Sequence, residues 1–472
     1  MVGLGMVLSY ASSLLPALRR SDSPLEIDLH TASWIASCVG LANLPGFFLA
    51  SALMDRWGRK ITHILVIMPG IVGWTLIYFA ASVTTILIGR ILCGITVGAT
   101  ASLGAIIIGE CTSPSLRGIF LNLKTASVCL GSMIGHILGN YVSWRILALL
   151  AAIPYIIALL NTMTWYETPS FLVSKREFEN AKKSFFWLRG HDDNSKKELN
   201  ELIRAQMNEI ADKKVTTLTE DILHFFKKFT RKGFLIPILI LSFGFMLLEA
   251  SGRHYFPAYA LDIIGEVTGN NSLSFYYILA IDLIITLSAT FSSFLVKIMK
   301  RRTVLFATGW AAVVTIAITC TYLFLVSKDV ISRDRPWIPI SLFVVYFVLV
   351  NLGCTPIPLA FLGELLPLAH RGAGSALSGV VLSCNLYLAL HVTPFLLVNV
   401  KVYGTFAVFG GIMAVLLSIL YFLMPETKDR TLQEIEDYFI YGRFKDDEKF
   451  EKRDEASKVI MLPERSDGMS QY

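Results

Sequence analysis

Charge is what this chain lacks. Of its 472 residues only 17% are Asp, Glu, Lys or Arg, while 54% are hydrophobic; a soluble domain is nearer about 25% charged. Cysteine offers no framework either. Cys38, Cys93, Cys111, Cys129, Cys320, Cys354 and Cys384 contain no CxxC pair, and none falls in a segment expected outside the cell. Neither a disulfide scaffold nor a thiolate metal cluster is expected. No Gly-rich phosphate loop, metal triad or nucleophile elbow is present, so no enzyme, cofactor or metal is implied. A basic leader before the first apolar run and a clear small-residue cleavage site are missing too. That run therefore reads as a first span behind a short or truncated N-terminus, not as a signal peptide.

What is present is apolar sequence in pieces of one length. Thr31–Met54, Ile146–Tyr166, Thr303–Ser327, Trp337–Gly363 and Val402–Met424 carry no charge, and about 20 apolar residues cross a bilayer as a helix. Ile61–Gly109 holds one charge, Arg90, in 49 residues, so it must turn back near Ser82–Thr85 and span twice. Met1–Leu18, Gly118–Trp144, Gly233–Leu261, Val267–Val296 and Gly372–Asn399 complete a set of twelve spans. Helices are the form expected, because lipid offers the backbone no hydrogen bonds. With the start inside, 32 of the 42 Lys and Arg fall in cytosolic segments. That bias places both termini in the cytosol of a multi-pass cell-membrane protein. The net charge of +6 is therefore a topology signal and not a nucleic-acid footprint. The partners expected are a small solute and the bilayer, with the chain working as a monomer.

The chain also repeats itself. "GECTSPSLRG" at 109–118 and "GELLPLAHRG" at 363–372 share GE, six residues, RG, and lie 254 residues apart. "DRWGRK" (55–60) answers "KIMKRR" (297–302), and "WYETP" (165–169) answers "MPETK" (424–428). Six spans followed by six in the same orientation form a parallel repeat, an architecture that holds substrate at midplane between its halves. The expected divisions are an N-terminal bundle (1–166), a cytosolic helical linker (167–232), a C-terminal bundle (233–425) and a cytosolic tail (426–472), disordered beyond Tyr441. In the linker, Phe178, Ala181, Phe185 and Leu188 sit at helical spacing.

These motifs, with "GRILCG" (89–94), "YETPSFL" (166–172) and "PETKDRTLQEI" (425–435), resemble the sugar-porter family of the major facilitator superfamily. "TASWIAS" (31–37) and "AKKSFFWLRG" (181–190) are similar to its insect branch, the facilitated trehalose transporters. The resemblance implies facilitative sugar transport, of trehalose or hexose type, by alternating access. Proton-coupled members carry an aspartate in span 1; "VGLGMVLSYASSLLPAL" has none. A non-transporting nutrient sensor and a carrier of a charged organic solute remain alternatives on the same fold.

The expected gate is charged. Glu110, Arg117, Glu364 and Arg371 bracket cytosolic helix ends, with Arg59, Arg302, Glu167 and Glu426 beside them. Such charges can pair between helices when the inward side is shut. Exposed pairs are worth roughly 0–1 kcal/mol each, and several could bias an equilibrium of a few kcal/mol. Pro356 and Pro358 in span 10 remove backbone bonds and should flex or break that helix beside the cavity. Glycines at 89, 94, 98, 104, 131, 135 and 139 should let helices approach closely. An Asn270-Asn271-Ser272 sequon makes Asn270 a glycosylation candidate between spans 7 and 8.

The substrate stretch departs from the family. Where a typical member reads QQLSGIN in span 7, this chain reads "LEASGRH", with Leu248, Glu249 and His254 in place of the amides. The span 5 glutamine falls on Thr125, the span 10 tryptophan on Leu359, and the span 11 pair on Leu382 and Ser383. Amides suit sugar hydroxyls, and a site lacking them selects differently. Thr125, Glu249, Arg253, His254, Asn351, Thr355 and Asn385 become the candidate substrate-binding residues. Glu249 and Arg253 are four apart and should pair on one helix face. Intramembrane charge is by default functional, although a structural pair or a wet cavity would also accommodate it. His254 points elsewhere unless the helix unwinds. Arg90 is expected to be structural, Lys124 to snorkel, and His136 and His391 to be satisfied core residues. Asp282 is left between a polar partner and a coupling role.

Overall fold

The computed structural model describes residues 1–20, 25–112, 114–212, 232–269, 271–365, 371–428, 430, 434–435 and 438–439, and what is described is helical. The N-terminal half is built from α1 (Val2–Leu18), α2 (Leu29–Tyr78), α3 (Val83–Cys111), α4 (Pro114–Tyr141) and α5 (Trp144–Met163). Three shorter helices follow in the linker: α6 (Pro169–Ser174), α7 (Phe178–Arg189) and α8 (Asp193–Asp212). The C-terminal half comprises α9 (Lys232–Ala250), α10 (Tyr255–Thr268), α11 (Asn271–Ile298), α12 (Arg301–Ser327), α13 (Trp337–Leu352), α14 (Pro356–Glu364) and α15 (Arg371–Leu423). The Asn270 sequon position and the tail beyond 440 lie outside the described residues.

Helix starts follow local chemistry. Asp28, Ser82 and Ser143 each cap a helix by accepting the backbone N–H three residues on, satisfying one of the donors a helix start leaves free. Two helices are too long to cross once. α2 runs 50 residues and breaks at Gly58 (φ 83°); α15 runs 53 and breaks at Lys401 (φ 60°). Read at those breaks, with α9–α10 and α13–α14 each one interrupted span, the helices give the twelve spans expected. Large apolar side chains face outwards along them, among them Phe48, Leu160, Phe294 and Phe422. In water such a surface would be an aggregation liability; in lipid it is the solvent contact.

The repeat is visible at the level of single bonds. After the break in α2, the Arg59 and Lys60 N–H groups donate to the Glu167 carboxylate at 2.8 and 3.0 Å. At the start of α12, Arg301 and Arg302 N–H donate to Glu426 at 2.9 and 3.1 Å. In the first half the Arg59 guanidinium meets Glu110 at 2.6 Å; in the second, Arg301 meets Glu364 at 3.2 Å. Each half thus carries the same device, an anion on a restarted helix N-terminus beside an Arg–Glu pair. Gly58 is required there, since its φ is positive and a Cβ would run into the Glu167 carboxylate.

The expected pairing between helices is present: Arg59–Glu110 joins α2 to α3, and Arg301–Glu364 joins α12 to α14. Each of these ion pairs closes within its own half. The Arg302 guanidinium turns to the Met424 and Tyr421 carbonyls. The side chains of Arg117 and Arg371 lie outside the described part. Hydrogen bonds between the halves are found away from this linker face, at the centre and on the opposite face. On that opposite face the Ser33 hydroxyl bonds the His391 carbonyl at 2.7 Å, and His391 Nδ1 lies 2.9 Å from Ser33 Oγ and 3.1 Å from Ser37 Oγ. Trp34 and Tyr387 pack around the same imidazole, and Arg19 approaches Asp262 at 3.5 Å. A Cβ on Gly40 would meet the Tyr387 backbone at 2.6 Å. In lipid, where tails are as apolar as Leu, such close backbone approach is what holds helices together.

Candidate substrate site

Two interrupted spans meet the N-terminal half near the middle of the molecule. In span 7, α9 ends at Ala250 and α10 begins at Tyr255, with a turn between them. Gly252 makes the turn possible by adopting φ 89°, a region that costs a side-chain-bearing residue roughly 1–2 kcal/mol. The Tyr346 hydroxyl donates to the freed Ser251 carbonyl at 3.1 Å. In span 10, α13 stops at Leu352 and Pro356 opens α14, as the proline pair implies. Pro358 packs against Gly244 of α9.

The turn overturns the expected Glu249–Arg253 pair. Spacing of four gives a shared face only on an unbroken helix, and the chain leaves helical geometry at Gly252. Glu249 instead meets His254, with Nδ1 at 2.8 and 2.9 Å from the two carboxylate oxygens. Arg253 reaches into the other half, where its guanidinium donates to Cys129 Sγ at 3.0 Å. No carboxylate lies within ion-pairing distance of Arg253 among the described residues.

Around Arg253 the halves enclose a cavity of about 20 Å³, lined by Cys129, Ser132, Asp282, Asn351 and Thr355, among others. That is room for a single water, so a larger solute enters only when the halves part. Asn351 donates its Nδ2 to Phe347 O at 2.8 Å, while its Oδ1 and the Thr355 hydroxyl are buried without a partner. Such groups carry an unmet cost of about 1–3 kcal/mol each. Asp282, 3% exposed, is held by His136 of α4 at 2.6 Å, and His136 Nε2 lies 2.9 Å from the Pro257 carbonyl. A carbonyl only accepts, so Nε2 carries hydrogen and one proton is shared between Nδ1 and the carboxyl. The pair is neutral wherever that proton sits.

Of the seven candidate residues, Arg253, Asn351 and Thr355 line this cavity, with Glu249 and His254 on the turn beside it. Thr125 and Asn385 do not line it: the Thr125 hydroxyl turns back to Leu121 O. Cys129, Ser132 and His136 were not singled out as site residues from the sequence. They lie on α4 at steps of three and four, so a polar stripe on one helix face was the available signal. Arg90 is structural as expected, donating to the Val7 and Ile35 carbonyls at 2.7 and 3.2 Å. Lys124 does not simply snorkel: it donates to Ala101 O at 2.6 Å.

Residues 7–439 match the family model described as "Sugar (and other) transporter". The chain belongs to the sugar transporter family. This transporter is 29% identical over 438 residues to a facilitated trehalose transporter of Bombyx mori, covering 92% of this chain and 84% of that one. It is 29% identical over 441 residues to one of Apis mellifera ligustica, covering 92% and 85%. Its backbone resembles the inward-open xylose transporter XylE of E. coli, with TM-score 0.73, 15% identity, and 92% and 96% of the two chains covered. The same protein bound to 6-bromo-6-deoxy-D-glucose gives 0.72. The transporter is thus a multi-pass membrane protein of the major facilitator fold, not an enzyme.

Proposed function

We propose that this chain is a facilitative carrier of sugar-type solutes, working by alternating access. One observation carries the reading: in a sugar-transporter chain, spans 7 and 10 break beside a cavity shared by both halves, with unpaired polar atoms on its lining residues Asn351 and Thr355. A two-state protein whose halves close around such a site exposes it to either side in turn. The lysine and arginine bias favours a cytosolic linker and cytosolic termini, with Asn270 on the outside. Radiolabelled uptake in oocytes, with trehalose, glucose, polyols and organic ions and surface level as control, tests transport. Uptake of any panel member above uninjected cells supports the reading; none at normal surface level sinks it. Tags at each terminus that label only after permeabilisation support the orientation.

A non-transporting sensor is favoured by one feature, the replacement of family amides by Thr125, Leu248, Glu249 and His254. Surface expression with solute binding but no uptake would select it.

A further inference from the structure

We propose that the central cavity recognises an anionic hydroxylated solute, a sugar acid, with the Arg253 guanidinium on its carboxylate. The inference rests on the reading of this cavity as the transport site and adds the charge of what it takes. It follows from a count of the charges that line the cavity. Asp282 and His136 share a proton and sum to zero, because Nε2 is committed to the Pro257 carbonyl. Glu249, the residue four positions from Arg253, is not in the lining, and both of its oxygens turn to His254. Arg253 is left with a thiol as its bonded partner, and a thiol sulfur is a weak acceptor. The cavity lining therefore carries one uncompensated positive charge in a half-buried place, on a group whose planar fork fits a carboxylate with two parallel bonds.

The rest of the lining says what else the solute carries. Asn351 Oδ1 can only accept, and it is buried and unmet, so it calls for a donor. The Thr355 hydroxyl, also buried and unmet, can donate or accept. One donor hydroxyl for Asn351 and one further hydroxyl for Thr355, on the same small molecule as a carboxylate, describe a hydroxylated acid. A neutral sugar would satisfy Asn351 and Thr355 but leave Arg253 unpaired. A simple carboxylate would do the reverse. The cavity must widen to admit either, and separation of the halves at Cys129–Arg253 is the step that would widen it.

The test uses the full-length transporter in proteoliposomes, with labelled D-glucuronate, D-gluconate and D-glucose as probes. Glucuronate or gluconate uptake exceeding that of glucose at equal concentration is expected. Arg253→Gln should lower the ratio of acid uptake to glucose uptake at least tenfold, and Arg253→Lys should retain part of that preference. Should Arg253→Gln fail to fold, Asn351→Asp places a carboxylate in the cavity and should also depress acid uptake against glucose uptake. Glucose uptake with neither uptake of, nor inhibition by, the two acids overturns the proposal and leaves the sugar-carrier reading standing. Acid uptake unchanged in Arg253→Gln also overturns it. If the acids raise the melting temperature of wild type, but not of Arg253→Gln, and no probe is taken up, the anion site stands and the carrier reading falls. Neither thermal shift nor uptake sinks both.

Discussion

Asp282 and His136 face each other from opposite halves of the chain, each 3% exposed at the side chain. Removing one partner of a buried pair leaves the other without its charge and hydrogen-bond complement, at about 3–5 kcal/mol. Asp282→Ala should therefore lower unfolding free energy in detergent by about that amount, and the double change with His136→Leu should recover most of it. Losses that simply add in the double variant would show that the two residues do not act as a unit. The Glu249–His254 contact offers a parallel comparison at the turn, where Glu249 is 4% exposed at the side chain. Here the sequence was legible in composition and not in pairing. Three charged or titratable groups at 249, 253 and 254 were plainly out of place in a bilayer. Their partners depended on a backbone turn that an ideal helical wheel does not contain. His136 and Asp282 were readable as anomalies for the same reason, and 146 residues of sequence separation hid that each answers the other.

At the scale of elements, the breaks matter as much as the helices. Gly252 holds the turn between α9 and α10 at φ 89°, and a Cβ there would stand 3.3 Å from Phe347 Cε1. Gly252→Ala should cost about 1–2 kcal/mol from the backbone alone, read as a lower melting temperature with Arg253 less well placed. Gly58→Ala should do more harm, since its Cβ meets the Glu167 carboxylate that caps the restarted helix. Equal melting of wild type and Gly58→Ala would show that the Glu167 cap is dispensable. The spans were legible almost to their ends, because apolar length is a composition signal and lipid enforces it. The internal repeat was legible too: the GE…RG and ET motifs became two matching capped helix starts. What spacing could not reveal was that Arg59–Glu110 and Arg301–Glu364 close inside their own halves, since paired motifs say which residues are equivalent and not which touch.

For the whole molecule, the bonds between halves define a conformation. They cluster from the central cavity to the face opposite the linker, through His136, Arg253, Ser12, Arg19 and the Ser33–His391 contact. An alternating-access carrier must break that set to expose the cavity on the opposite side. Covalent closure of the face should therefore arrest the cycle without touching the substrate site. Ser33 and His391 are suited to this, because they touch across the halves, Ser33 Oγ lying 2.9 Å from His391 Nδ1 and 2.7 Å from its carbonyl. The Ser33→Cys/His391→Cys protein, treated with a mild oxidant in proteoliposomes, should lose uptake and regain it on reduction. Wild type serves as the control, since it keeps seven free cysteines of its own. Uptake that persists after the crosslink is shown by mass spectrometry to be complete would mean that this face does not open during transport. Failure of the pair to crosslink at all would mean that the resting protein does not hold the two halves together there.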